Sequence, residues 1–465
     1  MNVRKICVKI IKISALSGKY ISAKRKERYG HGMAGFFKKL SPARIIALGF
    51  AAVILLGSAL LMLPCSLQGG GGLSYIDSLY TATSAVCVTG LVTVDTAATF
   101  TFLGQAIIIV LIQIGGLGVA TIGAGVLIAM GRKMDIKSRF VIKEAVNLST
   151  GKGIVTFVRS IFFTTLLFEL CGAALSFIVF IRDFPFWKAL WVSVFHSISA
   201  FNNAGFDILG NMQSLSAYKG NVLLNLVTCA LIICGGLGFP VLRELRAKGL
   251  RRHRKFSLHA KAVLFTSAVL IIAGTLLLKL TENISWLGAF FQSVTTRTAG
   301  FSTYSLGEFS KAGLIVMMFL MFIGASPAST GGGIKTTTLF VLLTGVKSAA
   351  TNRSRSAFHY SVPEEKFRKA AVIMFISAGV VMTGTYLFCI FEPELAFTDV
   401  FFETVSAFST SGLSTGITPQ LGTAAKILSI CIMYIGRLGV LTVATIWSFS
   451  KGERVSYPEG NIAVG

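Results

Sequence analysis

Eight stretches of the chain are apolar for long enough to approach the roughly 20 residues that a helix needs to cross a bilayer core. They run from Arg44 to Pro64, from Phe102 to Met130, over about 154–181 and 222–242, from Lys261 to Leu280, over about 313–345, from Ala370 to Phe391 and over about 424–449. The sixth is longer than one span requires and is broken by GASPASTGGG. Ionisable residues are almost absent from all eight, as a hydrocarbon solvent demands. Between each odd span and the next even one lies a semi-apolar, Ser/Thr-rich stretch too short to cross. These are LYTATSAVCVTGLVT, VFHSISAFNNAGFDI, FFQSVTTRTAGFST and FFETVSAFSTSGLST. Their glycines, Gly90, Gly205, Gly300 and Gly412, are separated by 115, 95 and 112 residues. A recurrence on that scale predicts a fourfold internal repeat of span, re-entrant hairpin, span.

The expected fold is an all-α polytopic membrane protein. Four pseudosymmetric repeats, with eight transmembrane helices and four re-entrant pore helices, surround one central pore. The repeats are expected over 44–135, 136–250, 251–350 and 351–450, after a basic arm over 1–43 and before a short tail over 451–465.

Composition supports this reading. Of 465 residues, 53% are hydrophobic and only 14% charged, against about one quarter charged in a soluble domain. Disorder, a collagen-like chain and a secreted disulfide scaffold are excluded. The net charge of +25 would suggest nucleic acid in a soluble protein. Here the basic residues are confined to the arm, to GRKMDIKSR, to RELRAKGLRRHRK and to residues 347–369. The alternate connections are poor in Lys and Arg and contain Asp77, Asp95, Asp207, Glu282, Glu394, Asp399 and Glu403. Both termini are therefore expected on the cytoplasmic side of the cell membrane. In the arm, Lys5, Lys9, Lys12 and Lys19 fall at helical spacing between Ile6, Ile10 and Ile13. That suits an anionic membrane surface or a partner, and a solvated arm equally. It lacks the features of a signal peptide. The eight cysteines form no CxxC pair and imply neither a disulfide framework nor a metal site.

Non-helical backbone at membrane depth is tolerated only where it is buried or lines a water-filled cavity. Four hairpins converging on one axis satisfy that condition. Glycine reaches positive φ at little cost, so carbonyls can turn inward and replace a cation's hydration shell. This pattern fits a potassium-selective pore. The sixth span places Gly324, Ser326, Pro327, Ser329 and Thr330 before Gly331, Gly332, Gly333 and Lys335. Three glycines with a nearby proline do not continue a regular helix. Arg437 lies in an otherwise apolar span, where it is costly unless it faces water or a partner.

With these motifs in place, the chain resembles the ion-translocating subunit of the Trk/Ktr/HKT superfamily, in particular the bacterial KtrB and TrkH type. The resemblance covers about residues 40–450. It rests on the four glycine-centred stretches, on STGGGIKTT in the sixth span and on YIGRLG in the last. It implies a selectivity filter formed by Val88-Thr89-Gly90, Asn203-Ala204-Gly205, Thr298-Ala299-Gly300 and Thr410-Ser411-Gly412. Only the glycine is common to all four, as expected if backbone carbonyls are the ligands and the side chains pack behind them. Glycine at all four positions implies potassium preference, and the lack of TVGYG implies less strict selection than in tetrameric channels. The resemblance also implies an intramembrane loop over Ser329, Thr330, Gly331, Gly332 and Gly333 that obstructs the pore. A static kink packed by neighbours is the alternative. Arg437 is expected in the pore near the loop, or else paired with Glu169. Lys335 is expected to add to the same barrier or to lie at the cytoplasmic end of the broken span.

Arg297 is expected to point behind the filter toward Glu403, and His196 to be a hydrogen-bonding core residue. Gly-Gly-Leu-Gly, at Gly115 to Gly118 and Gly235 to Gly238, is accounted for by close helix packing. Members of the superfamily work with a cytosolic KtrA/TrkA-type regulatory ring, which implies a nucleotide on that partner and no cofactor in this chain, and they commonly form homodimers. No GxxxxGK[ST], HExxH or Ser/His/Asp grouping suggests an enzyme. The alternative function is a sodium- or proton-coupled potassium symporter with alternating access.

Overall fold

The computed structural model describes residues 40–70, 72–131, 136–145, 153–250 and 256–446. The basic arm up to residue 39 and the tail over 451–465 lie outside the described residues.

Among the described residues the secondary structure is helical apart from a hairpin of two-residue strands, Ser356–Ala357 with Tyr360–Ser361. One sequence of elements recurs four times: a long apolar helix, a short helix, a glycine-containing return, and a helix that is broken. The long helices are α1 (Pro42–Leu61), α6 (Ile154–Phe180), α10 (Leu258–Thr281) and α14 (Glu364–Phe391). The short ones are α2 (Tyr75–Cys87), α7 (Phe186–Phe201), α11 (Trp286–Thr295) and α15 (Phe397–Ser409). The broken ones are α3 (Phe102–Leu117) with α4 (Val119–Ala129), α8 (Val222–Leu237) with α9 (Phe239–Leu250), α12 (Lys311–Phe322) with α13 (Thr336–Thr351), and α16 (Thr423–Leu438) with α17 (Val440–Ile446). A helix α5 (Ile136–Ala145) follows α4 in the chain.

Local chemistry sets the helix starts. Pro42 stands at the first turn of α1 with Ser41 as cap, where proline loses no hydrogen bond. Ser74, Ser285 and Ser310 accept from the backbone N–H of Asp77, Gly288 and Gly313 at 3.0–3.1 Å, satisfying donors that a helix terminus leaves free.

The outer surface is apolar, and the interior combines a Phe-rich apolar core with many buried Ser and Thr. Phe375 is 82% exposed, whereas Thr83 and Ser84 are fully buried. Such a surface is matched to hydrocarbon, not to water. Inside, several hydroxyls bond to carbonyls four residues back, as in Thr81 to Asp77 at 2.8 Å and Thr404 to Val400 at 2.8 Å, which satisfies them within their own helices.

Of the eight expected spans only the sixth is expected to be broken, whereas every even-numbered one is interrupted. Among the described residues, four helices are long and apolar enough to cross by themselves, and two bent pairs bring the number to six. The pairs α3–α4 and α8–α9 bend by 98° and 102°. The pivots are Gly118 and Gly238, with φ of 85° and 86°, and Gly439 between α16 and α17 has φ 83°. These are the last glycines of Gly-Gly-Leu-Gly and Gly-Arg-Leu-Gly. Close packing accounts for the first glycine of each motif, and for Gly116 against Asn202, but not for the last. A Cβ on Gly115, Gly235 or Gly436 would strike the carbonyl oxygen of Val86, Phe201 or Phe408 near the end of the adjacent short helix. The last glycine instead breaks the helix.

Gly115→Ala should accordingly cost about 1–3 kcal/mol, the usual penalty for overpacking. Gly123→Ala, whose Cβ meets nothing within 4 Å, should be neutral or slightly stabilising. Thermal unfolding of the two detergent-solubilised variants, followed by size-exclusion chromatography, separates them.

Candidate functional site

Each short helix ends in one residue with left-handed backbone, then one extended residue, then a glycine of positive φ. The left-handed residues are Val88 (57°), Asn203 (57°), Thr298 (71°) and Thr410 (53°), and the glycines are Gly90 (93°), Gly205 (69°), Gly300 (83°) and Gly412 (82°). In three repeats the middle residue's N–H reaches back five residues. Thr89 donates to Ser84 at 2.8 Å, Ala204 to Ser199 at 2.8 Å and Ser411 to Ser406 at 2.9 Å. This bond closes a helix C-terminus of the Schellman type. The third repeat differs, because Ala299 donates to Thr295, four residues back, at 2.9 Å.

The four returns meet. A Cβ on Gly90 would come within 2.5 Å of the Ala204 carbonyl oxygen, one on Gly205 within 2.7 Å of Ala299, and one on Gly300 within 2.8 Å of Ser411. A Cβ on Gly412 would strike the carbonyl oxygen of Thr89. The order is cyclic and closed, so only hydrogen fits on the inner side of each return. All four glycines also line one cavity of about 660 Å³, whose wall carries Asp95, Asp207, Glu308 and Lys219. Burial pushes the Asp207 carboxyl up to about 6, the N–H of Leu209 opposes this, and the Asp95 charge adds to it.

Behind the ring, the segment between α12 and α13 is a non-helical loop that turns at Pro327 and Ala328 and is pinned at its neck by a bridge between Ile323 and Ile334. It is bonded to the second and fourth repeats and lies against Thr298 of its own. Ser326 N–H donates to the Gly236 carbonyl at 3.0 Å, and Thr330 N–H to Gly235 at 3.3 Å. Gly332 N–H donates to the Thr410 hydroxyl at 3.0 Å. Arg437 donates to the carbonyls of Thr330 and Gly115, and to that of Gly116 at 3.3 Å. Lys335 Nζ donates to the carbonyls of Gly331 and Gly332 at 2.8 and 3.2 Å. Ser329 bonds within the loop, to Ser326. Gly333 has φ 67° and lies against Ser409.

Several expectations need correction. Arg437 does not pair with Glu169, because the Glu169 carboxylate accepts from Asn202 at 3.0 Å and Gln113 at 3.3 Å. Arg297 makes no ion pair with Glu403. Its Nε lacks a partner among the described residues, while Glu403 accepts from Thr418 at 2.5 Å. The left-handed residues do not simply pack behind the ring, since Asn203 donates to Thr298 at 3.3 Å and Thr410 holds the loop. Lys335 is engaged with the loop itself. His196 shares a 2.9 Å hydrogen bond with Thr228, and no metal-ligating cluster occurs among the described residues.

Sequence reasoning missed the contact that ties the fourth repeat to the first. Lys426 Nζ lies 2.7 Å from Asp77, and the Tyr80 and Ser429 hydroxyls are 3.0 Å apart. The signal was present in a lysine just inside the last span.

The family described as TrkH, cation transport protein, matches residues 56–454. The potassium/sodium uptake protein NtpJ of Enterococcus hirae is 38% identical over 446 residues, spanning 92% of this chain and 98% of that protein. The Ktr system potassium uptake protein B of Bacillus subtilis is 38% identical over 442 residues, spanning 92% and 97%. Among solved structures, the crystal structure of the potassium transporter TrkH from Vibrio parahaemolyticus has a TM-score of 0.69 at 18% identity, covering 88% of this chain and 86% of that one. That likeness concerns the fold.

Lys426→Met should destabilise the protein by about 1.5–3 kcal/mol, because it strands a largely buried carboxylate. Adding Asp77→Asn should restore part of the loss. A double-mutant cycle on thermal unfolding gives the coupling, and strictly additive effects would deny the tie.

Proposed function

The chain belongs to the TrkH family of cation transport proteins, and on that premise we propose that it carries potassium ions across the cell membrane through a channel-like pore. The observation that carries this reading is the closed ring of Gly90, Gly205, Gly300 and Gly412, with a neighbour's carbonyl oxygen against each. Fixed carbonyl dipoles at close quarters replace water around a monovalent cation and need no side chain to do so. On this reading the four returns are the selectivity filter, one from each of four pseudosymmetric pore-loop repeats. The cavity outside them is the mouth, where the carboxylates of Asp95, Asp207 and Glu308 concentrate cations.

The loop from Ser329 to Gly333, with Lys335 and Arg437, is then the obstruction behind the filter. Its amides and carbonyls are bonded to the second and fourth repeats, and on this reading it closes the path by occupying it. Arg437 acts twice, as a fixed positive charge and as a clamp on the Thr330 carbonyl. Glu169 is held off by Asn202 and Gln113, which argues against its service as a coupling carboxylate in alternating access. The basic helices α5 and α9 would receive a cytosolic nucleotide-binding ring of the KtrA/TrkA type, and a homodimer completes the proposed assembly.

Gly90→Ser should lower the potassium/sodium permeability ratio several-fold. Its Cβ would lie 2.5 Å from the Ala204 carbonyl oxygen at a φ of 93°, and its hydroxyl would compete as a ligand. Uptake in a host deficient in potassium transport should then become sensitive to external sodium. An unchanged ratio removes Gly90 from the filter.

Arg437→Gln should raise flux per molecule with selectivity nearly intact. Hydrogen bonds to a charged group are worth about 1.5–3 kcal/mol, so loss of the clamp should shift the loop's equilibrium about ten- to a hundredfold. Liposome flux normalised to protein checks this, and folded protein with wild-type flux would exclude the clamp.

A further inference from the structure

The loop docks on the break in the α8–α9 helix. Gly235 and Gly236 offer their carbonyls to the N–H groups of Thr330 and Ser326, and Phe239 N–H donates in return to the Ala328 carbonyl at 3.0 Å. In an unbroken α-helix residue 239 would donate to residue 235, and residue 240 to residue 236. The first pair is the one that the loop has split. The second pair does not exist in any conformation, because residue 240 is proline and has no N–H. In a straight helix the proline ring would also press on the carbonyl of Gly236.

The three single-glycine breaks differ at this position. Gly118 is followed by Val119 and Ala120, Gly439 by Val440 and Leu441, and Gly238 by Phe239 and Pro240. The break that carries the proline is the one onto which the loop's amides dock. In the first repeat the corresponding carbonyls, Gly115 and Gly116, receive the Arg437 guanidinium instead.

We propose that Pro240 is a positioning residue for the intramembrane loop. By denying Gly236 a helical donor it keeps α8–α9 in the bent form whose carbonyls hold the loop, so that loop release and straightening of this helix are coupled. The proposal rests on the reading of the loop as the obstruction only for its effect on flux; the docking itself stands on the hydrogen bonds. It also gives α9 a purpose. Arg243 and Arg246 lie over the rings of Phe157 and Phe163, at 6.0 and 4.9 Å, and anchor α9 to α6 in the bent position. A partner that draws these arginines away would favour the straight helix and withdraw the docking site.

The test uses Pro240→Ala in the full-length protein reconstituted in liposomes, with Pro240→Ser as a second variant. Pro240 is only half-buried, so neither leaves a void in the core. A cysteine introduced by Ser329→Cys reports loop exposure through its rate of reaction with a water-soluble maleimide, corrected for the parent without it. Pro240→Ala should raise that rate several-fold, and potassium flux without any partner should rise with it. Unchanged labelling in folded Pro240→Ala and Pro240→Ser overturns the docking proposal. Faster labelling with unchanged flux, together with unchanged flux after deletion of Ser329 to Gly333, supports the docking and overturns the obstruction reading. A role for Pro240 as a helix-starting residue alone predicts lower thermal stability with labelling unchanged.

Discussion

A backbone carbonyl or amide that leaves its helix inside a bilayer must find another partner, because hydrocarbon offers none. This chain breaks helices at several points in its interior, and most of its polar architecture answers that constraint. The breaks after Leu117 and Leu237 free the carbonyls of Gly115, Gly116, Gly235 and Gly236. The first two receive the Arg437 guanidinium, and the second two receive loop amides. Arg437 and the loop are therefore not independent features placed near one another. The loop supplies donors to one broken helix, Arg437 supplies them to another, and Arg437 also holds the Thr330 carbonyl of the loop.

The glycine ring follows the same rule with the opposite outcome. Bonds such as Thr89 to Ser84 close the short helices, which satisfies the inward-returning chain on its protein side. Its other side lines a cavity. Fourfold repetition makes the ring and also strains it, because four different sequences must bring the same backbone to the same approach. The seam between the last and first repeats carries the Lys426–Asp77 pair and the Tyr80–Ser429 contact, which fasten the chain's two halves where connectivity does not. The third repeat is the exception in two respects. Its return uses a four-residue bond where the others use five, and its broken helix carries a long loop where the others carry one glycine. Both departures lie in one repeat, and Thr298 lies against Gly331.

The sequence exposed the repeat because each return needs glycine for a backbone reason that no side chain can mask. Arg437 was legible because an arginine in an apolar run is expensive. Its partner was not legible, since Glu169 was the acidic residue nearest in kind, whereas the true acceptors are main-chain carbonyls that every residue possesses. The breaks at Gly118 and Gly238 were hidden because hydropathy continues unchanged across them, so a bent pair reads as one long span. The loop's hold on Thr410 was hidden for a related reason. Filter chemistry was assigned to the backbone alone, which left the hydroxyl without a role until the Gly332 amide was found against it.

The loop's own polarity explains why two cations, and not a carboxylate, attend it. Its consecutive buried carbonyls of Thr330, Gly331 and Gly332 take Arg437 and Lys335. Neither cation has a carboxylate within ion-pair distance; the two such pairs among the described residues lie elsewhere. Two like charges converging on three adjacent carbonyls repel each other, and in a partly dehydrated interior that repulsion is only weakly screened. On the proposed reading of the loop as the obstruction, a permeating cation would add to that positive charge, and the loop would oppose passage by its field as well as by its bulk.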